Sequence, residues 1–518
     1  MAMTWLANAD FDTAWAHASW VDFDRSKASA RQIAILPVYG FSDHGLGLAL
    51  DAEEAIGSEV LHRAVLSCKA VLSLRVLPPL RFGVAPYRAG VLGTDTDTAE
   101  RLLREISASV VESGIRKLVF FVTSPWQAEF IDAASRDVRV ELQLQTFVIN
   151  LSGLGLGFHP NSRNRAVVQA IVSFLLGQAP EPAPPGVTVE TDFRPGRWDQ
   201  PPPVTAVDAD CDAAAVLAEA GLRLARLLAE IDARAPLGSL DHRPPVELPW
   251  APARRHLLAP SVWPTYRHRY LPALTRAALD ALPEKERAFV IIPTGAIEQH
   301  GPHLPVGVDA ILGQAWLNAA LPLLPPDLPV WIAPPILVGK SNEHIGFPGT
   351  LTLSAATLRR LLFGLASELK ALGFRQIGIL NTHGGNSAVL VYTLREIQVQ
   401  LGLRAGMINH PYRPPVSAQE TQYGFHAGEW ETALMLAVAG ETVRMEQAVC
   451  EYPARLDDPG ELRPESAPAI FSWITRDISR SGVMGDATAA RPDKGATWFA
   501  EAAAALAQRI EALARGPA

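Results

Sequence analysis

The sequence predicts an α/β fold: two α/β/α sandwich domains with mainly parallel central sheets. Three observations support this prediction. The chain has 518 residues, enough for two hydrophobic cores. In its second half, short apolar runs of strand type alternate with longer helical patterns, which is typical of a parallel sheet with helices on both faces. The first half repeats the outline of the second, so both halves should share one architecture.

Local signals place the elements of the second half. Ser354 is a suitable N-cap for a long helix, and Gly373 follows that helix as a stop signal. Asp309 stands at the N-cap position of an earlier helix. Strands are predicted at 290–293, 330–338, 376–381 and 404–409, and helices at 310–321, 354–372, 386–401 and from about 428 onward.

The repeat is visible as a series of matches in the same order. Pro37, in a strand-and-turn outline at 35–45, matches Pro293 at a displacement of 293 − 37 = 256 positions. A series of such matches is hard to obtain by chance, so the chain is interpreted as a tandem duplication. Other matched pairs are Pro78-Pro79 with Pro334-Pro335, Gly93-Thr94 with Gly349-Thr350, and, at a slightly larger displacement, Gly157-Phe158-His159 with Gly424-Phe425-His426.

Proline-rich segments separate the two copies. Residues 178–204 and 243–252 have the composition of linkers or loops. Between them, residues 213–233 have a helical pattern that parallels a final helix at about 495–514. We therefore expect one domain at 1–245 and a second at 246–518.

Composition and charge argue against several classes of function. The formal net charge is −8 and no block of Lys and Arg stands out, so a nucleic-acid partner is not expected. No apolar run is long enough to span a bilayer, and the first residues lack the features of a signal peptide. Cys68, Cys211 and Cys450 are far apart and fit no metal spacing, so buried thiols in a reducing compartment are expected. A soluble, cytoplasmic protein is the resulting prediction.

Side chains that can bind a divalent metal follow several of the predicted strands. Because the carboxyl ends of parallel strands meet at one edge of a sheet, these groups should lie close together. Carboxylates mixed with imidazoles suit zinc, manganese or iron, and a carboxylate can bridge two ions about 3.5–4 Å apart. The candidates are Glu298, His300, Asp309, His383, His426, Glu429 and Glu431, with Asn342, Glu343 and His344 after the second strand.

Each candidate also has a purely structural interpretation. Asp309 could be only an N-cap, and His383, beside two glycines, could be a turn histidine. His426 and Glu429 could be a capping pair at a helix start, and Glu431 could be a solvated helix residue or a hydrogen-bond acceptor behind a ligand. Their combination at several strand ends of one sheet favours the functional interpretation.

Four motifs resemble those of the creatininase (creatinine amidohydrolase) family. The resemblance extends over about 288–494, and its first motif is long and specific. It implies a metal-dependent amidohydrolase that acts on C–N bonds, with an α/β/α sandwich fold and frequent hexameric assembly. The motifs are 298–305 (Glu-Gln-His-Gly-Pro-His-Leu-Pro) followed by Asp309, then 346–350, 381–386 and 426–432.

The resemblance also implies a ligand set. Glu298, Asp309 and His383 would hold one ion, and His300 and Asp309 the other, with Asp309 as the bridge. Creatininase has a further ligand, a Glu two residues after the histidine that matches His383, whereas this chain has Gly385 there.

A replacement for that missing ligand is expected from the later motif. Relatives with a His-Gly-Gly-Asn sequence carry a Glu three residues after the later histidine, so Glu429 is the expected ligand. Glu431 is the fallback, or a partner in catalysis. His426 matches the family's catalytic histidine, which is expected to donate a proton to the leaving nitrogen.

The departures from creatininase argue against creatinine as the substrate. Gln422 stands where creatininase has a Trp. Relatives with the His-Gly-Gly-Asn form include a formamide hydrolase of cofactor biosynthesis and a peptidase that trims a ribosomally made redox cofactor. The candidate substrate-binding residues are His344, Tyr412, Gln422 and Trp430.

The first repeat lacks most of the implied ligands. Only His44 and His159 persist there, and Asp309 falls on Glu53. No dinuclear centre is therefore predicted in the first repeat, which would instead supply the neighbour surface that a second subunit gives in simpler relatives. A trimer of this chain would then correspond to a hexamer of single domains. The replaced positions are Ser42 for Glu298, Ser124 for His383, Ser162 for Glu429 and Asn164 for Glu431.

The first prediction of function is a metal-dependent amidohydrolase with two divalent ions, zinc alone or zinc with manganese or iron. Its substrate would be a small molecule of lactam, cyclic amide or formamide type. One alternative is a metallopeptidase that trims a short peptide, and another is a non-catalytic binding or assembly protein. No membrane partner is expected, and a homo-oligomer is.

Overall fold

The computed structural model describes residues 10–23, 31–84, 90–159, 162, 164–181, 212–248, 264–408, 412–452 and 472–516. Most of the first predicted linker, and Cys211, lie outside these described residues. Cys68 is buried as predicted, but Cys450 is exposed, because it lies in a short strand at the surface. No helix among the described residues is long and apolar enough to cross a membrane.

The first half folds around a parallel sheet. Its strands are β1 (Ile33–Tyr39), β2 (Leu74–Val76), β3 (Leu80–Arg81), β4 (Gly83–Val84), β5 (Gly93–Thr94), β6 (Lys117–Val122) and β7 (Gln145–Asn150). Its helices are α1 (Ala52–Cys68), α2 (Thr96–Glu112), α3 (Ala128–Leu142), α4 (Arg165–Leu176) and α5 (Ala213–Ala233). The order in the sheet is β2-β1-β6-β7, and β3 also pairs with β1.

The second half repeats this arrangement. Its strands are β8 (Phe289–Thr294), β9 (Val330–Ile332), β10 (Gln376–Asn381), β11 (Arg404–Met407), β12 (Cys450–Glu451) and β13 (Gly485–Asp486). Its helices are α6 (Arg276–Asp280), α7 (Val308–Ala320), α8 (Ala355–Ala371), α9 (Ser387–Glu396), α10 (Ala418–Tyr423), α11 (Glu429–Ala439), α12 (Thr475–Ile478) and α13 (Pro492–Arg515). The main sheet has the order β9-β8-β10-β11, all parallel, which matches the first sheet strand for strand. The predicted fold class is confirmed.

Most predicted elements are found with small shifts, and one cap is wrong. Ser354 accepts a hydrogen bond from the Thr357 amide, as an N-cap should. The helix that contains Asp309 begins two residues earlier than expected, with Gly307 at the N-cap, so Asp309 lies inside the first turn. The side chain of Asp309 is thereby free to point towards the carboxyl edge of the sheet instead of capping the helix.

The two halves share a hydrophobic core. Trp15 and Phe23 of the first half belong to the same buried cluster as Val306 and Leu351 of the second. Removing this apolar surface from water stabilises the association of the halves. The division at residues 245/246 stays a prediction, because the shared core couples the two copies closely.

Candidate metal centre

The predicted ligands arise from the carboxyl ends of neighbouring strands. Glu298 and His300 lie in the loop after β8, and Asp309 lies in the first turn of α7. His383 follows β10, and Glu431 lies in the first turn of α11. Because β8 and β10 are adjacent and parallel, their carboxyl ends bring these side chains to one buried edge of the sheet.

Asp309 lies between two histidines. One of its carboxylate oxygens, Oδ2, is 3.5 Å from His383 Nδ1, and the other, Oδ1, is 3.6 Å from His300 Nε2. Atoms bound to one tetrahedral zinc ion at about 2.0–2.2 Å lie roughly 3.3–3.6 Å apart. The position of Asp309 therefore fits a carboxylate that bridges two ions.

The first group consists of Glu298, Asp309 and His383. His383 Nε2 lies 3.0 Å from the Lys340 carbonyl oxygen, which can only accept, so this nitrogen carries the proton. The other ring nitrogen, Nδ1, then has a lone pair, and it faces Glu298 Oε1 at 3.1 Å as well as Asp309. Three electron-rich atoms that face each other in a buried space require a cation or additional protons.

The second group has the same character. His300 Nδ1 lies 3.0 Å from the backbone oxygen of Glu298, so the proton of a neutral ring is on Nδ1. The bare Nε2 faces Asp309 and, at 3.8 Å, Glu431 Oε2. His300 Nε2 thus lies near one carboxylate oxygen on each side, and His300 belongs to two groups of close candidate ligands, one with Glu298 and Asp309 and one with His426 and Glu431.

Unpartnered atoms and shifted pKa values support the fit to cations. Glu298 Oε2, His300 Nε2 and Asp309 Oδ2 are buried and lack a hydrogen-bond partner among the described residues. Burial and the charge on Glu298 raise the pKa of Asp309, and burial raises the pKa of Glu431. Despite burial, Asp309 and Glu431 raise the pKa of His300 to about 9. The site thus gathers negative charge that favours a positive charge between the carboxylates, either a proton on a histidine ring or a bound cation.

Glu429 does not lie in this cluster. Its Oε1 accepts a hydrogen bond from Lys494 Nζ of α13 at 2.6 Å, although the side chain is buried. Glu429 and Glu431 are two residues apart, which is about 200° around a helix, so their side chains leave α11 in nearly opposite directions. In this structure Glu429 therefore faces Lys494, and Glu431, the fallback, faces the cluster; which of the two serves as the last ligand stays a prediction.

His344 and His426 also border the cluster. His344 Nδ1 accepts from Gln299 Nε2 at 2.9 Å, so its Nε2 carries the proton and points to Glu298 Oε1 at 3.3 Å. His426 Nε2 donates to the Gln299 carbonyl oxygen at 2.8 Å, and its Nδ1 lies 3.9 Å from Glu298 Oε1. The two rings stack with centroids 4.5 Å apart.

Three predicted substrate-binding residues lie elsewhere. Tyr412 donates a hydrogen bond to Glu501 at 2.6 Å and stacks on Trp430, which in turn contacts Trp498 of α13. Gln422 is exposed on α10. In the described residues none of the three contacts the cluster. The two aromatic rings are instead part of the packing of α11 on α13, since burying their surface against that helix stabilises the fold.

Glu343 was among the candidates after the second strand but received no role from the sequence, and it borders the site. Its Oε1 lies 3.4 Å from His383 Nε2, on the side of the ring opposite Asp309. A Cβ atom at Gly385 would lie 1.9 Å from the same oxygen, so glycine at 385 leaves room for the Glu343 carboxylate. Glu343 can therefore orient His383 and increase the basicity of its Nδ1.

Replacing Glu343 by glutamine is expected to lower zinc affinity about tenfold, because the charge that supports His383 is lost while the volume is kept. Competition with a chromophoric chelator measures this affinity. Glu396→Gln, which removes a carboxylate paired with Arg359 in another part of the same half, serves as the control. Equal affinities of Glu343→Gln and the wild type would contradict the assigned role.

The matching place in the first half is filled by a hydrogen-bonded pair. Glu53 Oε1 lies 2.9 Å from His44 Nε2, and Oε2 accepts from the Gly40 amide at 2.8 Å and from Thr123 at 3.1 Å. The carboxylate thus has protein partners on both oxygens. No group of three candidate ligand atoms occurs in the described part of this half. That this half holds no dinuclear centre stays a prediction.

A parallel α/β sheet whose carboxyl edge holds buried carboxylates and imidazoles is typical of metal-dependent hydrolases. The sequence model of the creatinine amidohydrolase family matches residues 16–179 and 272–510. The chain therefore belongs to the creatininase family of hydrolases, with two copies of the family's domain in tandem.

Individual relatives match one copy. A mycofactocin precursor peptide peptidase from Mycolicibacterium smegmatis is 32% identical over 225 residues, which covers 43% of this chain and 84% of the relative. A creatinine amidohydrolase from Pseudomonas putida is 29% identical over 203 residues, 35% of this chain and 76% of the relative. The crystal structure of a putative creatinine amidohydrolase from Bacteroides fragilis has a TM-score of 0.41 and 21% identity, and the match covers 48% of this chain and 98% of that one.

Proposed function

We propose that the second half is a metal-dependent hydrolase that cleaves the C–N bond of an amide through a dinuclear centre. The observation that supports this most directly is the placement of Asp309 between the bare nitrogens of His300 and His383, with Glu298 and Glu431 at the two sides. Each of these two ring nitrogens faces a carboxylate oxygen while the other nitrogen of the same ring is held by a backbone carbonyl oxygen, so a neutral ring would turn its lone pair towards the centre.

The donor set assigns the ligands. Glu298, Asp309 and His383 would hold one divalent ion, and His300, Asp309 and Glu431 the other. Zinc suits this mixture of nitrogen and carboxylate oxygen, as does zinc with manganese or iron. The chemistry that such ions supply when bound is Lewis acidity towards a carbonyl oxygen and towards water.

His426 is placed to move a proton. Its Nε2–H is held by the Gln299 carbonyl oxygen, and its backbone pairs with Met484, so the ring orientation is fixed. Burial and the neighbouring His300 and His344 rings lower the pKa of His426 well below its usual range, so the ring is neutral near pH 7. Its Nδ1 can accept a proton at the cluster and pass it to the departing amide nitrogen, which extends the predicted role of proton donor.

Two kinds of amide are the candidate substrates. A small cyclic amide or formamide is the first prediction. The peptidase alternative gains support from the relatives, since a second peptidase of the same name, from Mycobacterium ulcerans, is 30% identical over 96% of its own length. Both candidates use the same attack on an amide carbonyl, so the assigned roles of the ligands and of His426 are common to both.

Metal analysis and a substrate panel test the proposal together. Protein purified with added zinc should contain roughly two ions per chain. It should also hydrolyse either lactams and N-formyl compounds or short peptides, with loss of activity after chelation. Absence of ions from metal-replete protein would contradict the proposal and favour a non-catalytic binding protein. Assembly as a trimer stays a prediction, which mass measurement in solution tests.

A further inference from the structure

Two segments cross between the halves in the same way. The first arm, residues 13–23, and the second arm, residues 269–279, are related by the displacement of 256 found in the sequence. Each arm begins beside the second strand of its own sheet, through the parallel bridges Ala14 with Val76 and Tyr270 with Ile332. Each arm then continues onto the other half.

The crossing contacts are reciprocal backbone hydrogen bonds. Ala18 O and Ala16 O of the first arm accept from the Val306 and Gly307 amides at 2.8 and 3.0 Å. The matching bonds of the second arm reach the first half: the amides of Leu50 and Asp51 donate to Leu274 O and Pro272 O, both at 2.9 Å. The tandem repeat therefore reproduces within one chain the two equivalent contacts of a symmetric dimer.

The two arms contact loops that carry different functional side chains. The second arm contacts the loop that leads to Glu53, which is hydrogen-bonded to His44. The first arm contacts residues 306–307, two positions before Asp309, on the loop that also includes Glu298 and His300. The metal-binding loop of the second half is thus bordered by backbone from the first half.

Side chains of the first arm hold the same loop at further points. Ser19 Oγ lies 2.9 Å from Pro302 O and 3.2 Å from Gly301 O, next to His300. Asp22 accepts two hydrogen bonds from Arg444, at 2.9 and 2.8 Å. The Arg444 amide in turn donates to His303 O at 2.9 Å. The loop between His300 and Asp309 is therefore fixed along its length by the arm or by a residue that the arm holds.

The contact at Gly307 shows how closely the first arm approaches the loop 298–309. A Cβ atom there would lie 2.5 Å from Ala16 O. The backbone at Gly307 has φ −91° and ψ 10°, and the matching Asp51 has nearly the same angles, φ −88° and ψ 17°, with a side chain present. The conformation does not require glycine at this position. Glycine at 307 instead provides the space that the first arm occupies.

We propose that the first half is a functional part of the metal centre: its arm, residues 13–23, positions the loop 298–309 so that Glu298, His300 and Asp309 converge. This inference rests on the proposed metal-binding function. It assigns a role to the first half, in whose described residues no group of candidate metal ligands is found, and it makes Ser19 and the space at Gly307 positioning features. Orienting partners behind metal ligands typically contribute 10–100-fold to metal affinity.

Variants of the full-length chain test the arm. Ser19→Ala removes the hydroxyl that reaches residues 301–302, and Gly307→Ala directs a methyl group at Ala16. Each should weaken zinc binding about tenfold and speed hydrogen exchange at the Val306 amide. Ser19→Thr keeps the hydroxyl and should retain wild-type affinity. Thr275→Ala is the matched control, because Thr275 is the counterpart of Ser19 in the second arm and bonds to Glu181.

The control separates positioning from general destabilisation. Thr275→Ala should lower the unfolding temperature and leave zinc affinity unchanged, whereas Ser19→Ala should change both. Wild-type zinc affinity in both Ser19→Ala and Gly307→Ala would overturn the role of the arm and leave the proposed function intact. A wild-type chain that takes up no zinc would overturn the proposed function and, with it, the role of the arm.

Discussion

Asp309→Asn should leave the full-length protein unable to hold a pair of ions and should lower amide hydrolysis roughly a thousandfold. The two oxygens of Asp309 face His383 at 3.5 Å and His300 at 3.6 Å, so one side chain serves both groups. Asparagine keeps the volume but replaces one of these oxygens by an NH₂ group, which cannot bind a cation. Zinc per chain, measured by elemental analysis after dialysis, should fall from about two to one or fewer.

The first half provides the control for Asp309→Asn. His44→Ala removes an imidazole that is also buried and also faces a carboxylate, at 2.9 Å. Because Glu53 loses one of its partners, the free energy of unfolding should fall by about 1–3 kcal/mol. Metal content and turnover should not change. Two ions in Asp309→Asn, or loss of ions in His44→Ala, would contradict the assignment of the centre to the second half.

Sequence patterns located the elements well because their signals are local. The helix expected at residues 213–233 and the strand expected at 376–381 are observed with those limits. Both have strong periodicity or a short buried apolar run between clear stop signals. The predicted strand at 330–338 is shorter, since only Val330–Ile332 form a regular ladder with β8. Pro334 and Pro335 follow, and proline cannot donate to a ladder.

The convergence of Glu298, His300, Asp309 and His383 could also be anticipated from parallel topology, because these residues follow strands that pair. The choice between Glu429 and Glu431 could not. Both lie in one turn of α11, and the partner that draws Glu429 away is Lys494, 65 positions later in sequence on α13. The contact of Glu343 with His383 depends on a similar non-local approach.

The pair of variants Glu431→Gln and Glu429→Gln distinguishes the last ligand. Glu431 Oε2 lies 3.8 Å from the bare Nε2 of His300 and accepts a hydrogen bond from the Ala427 amide at 2.6 Å. That amide belongs to the loop of His426, so the carboxylate is held in place before any ion binds. Glu431→Gln should therefore abolish binding of the second ion, leaving about one zinc per chain, and lower turnover at least a hundredfold.

Glu429→Gln changes the same functional group two residues away, in the same turn, and is the matched control. Its carboxylate is neutralised by Lys494, which is exposed, so the pair contributes little to stability beyond about 1 kcal/mol. Two ions per chain and near wild-type turnover are expected. Both variants replace a carboxylate by an amide of equal size. A difference between them therefore reflects the direction in which each side chain leaves α11, and not the loss of one negative charge. The reverse result, with an ion lost in Glu429→Gln and retained in Glu431→Gln, would show that α11 turns its other face to the centre once the ions are bound.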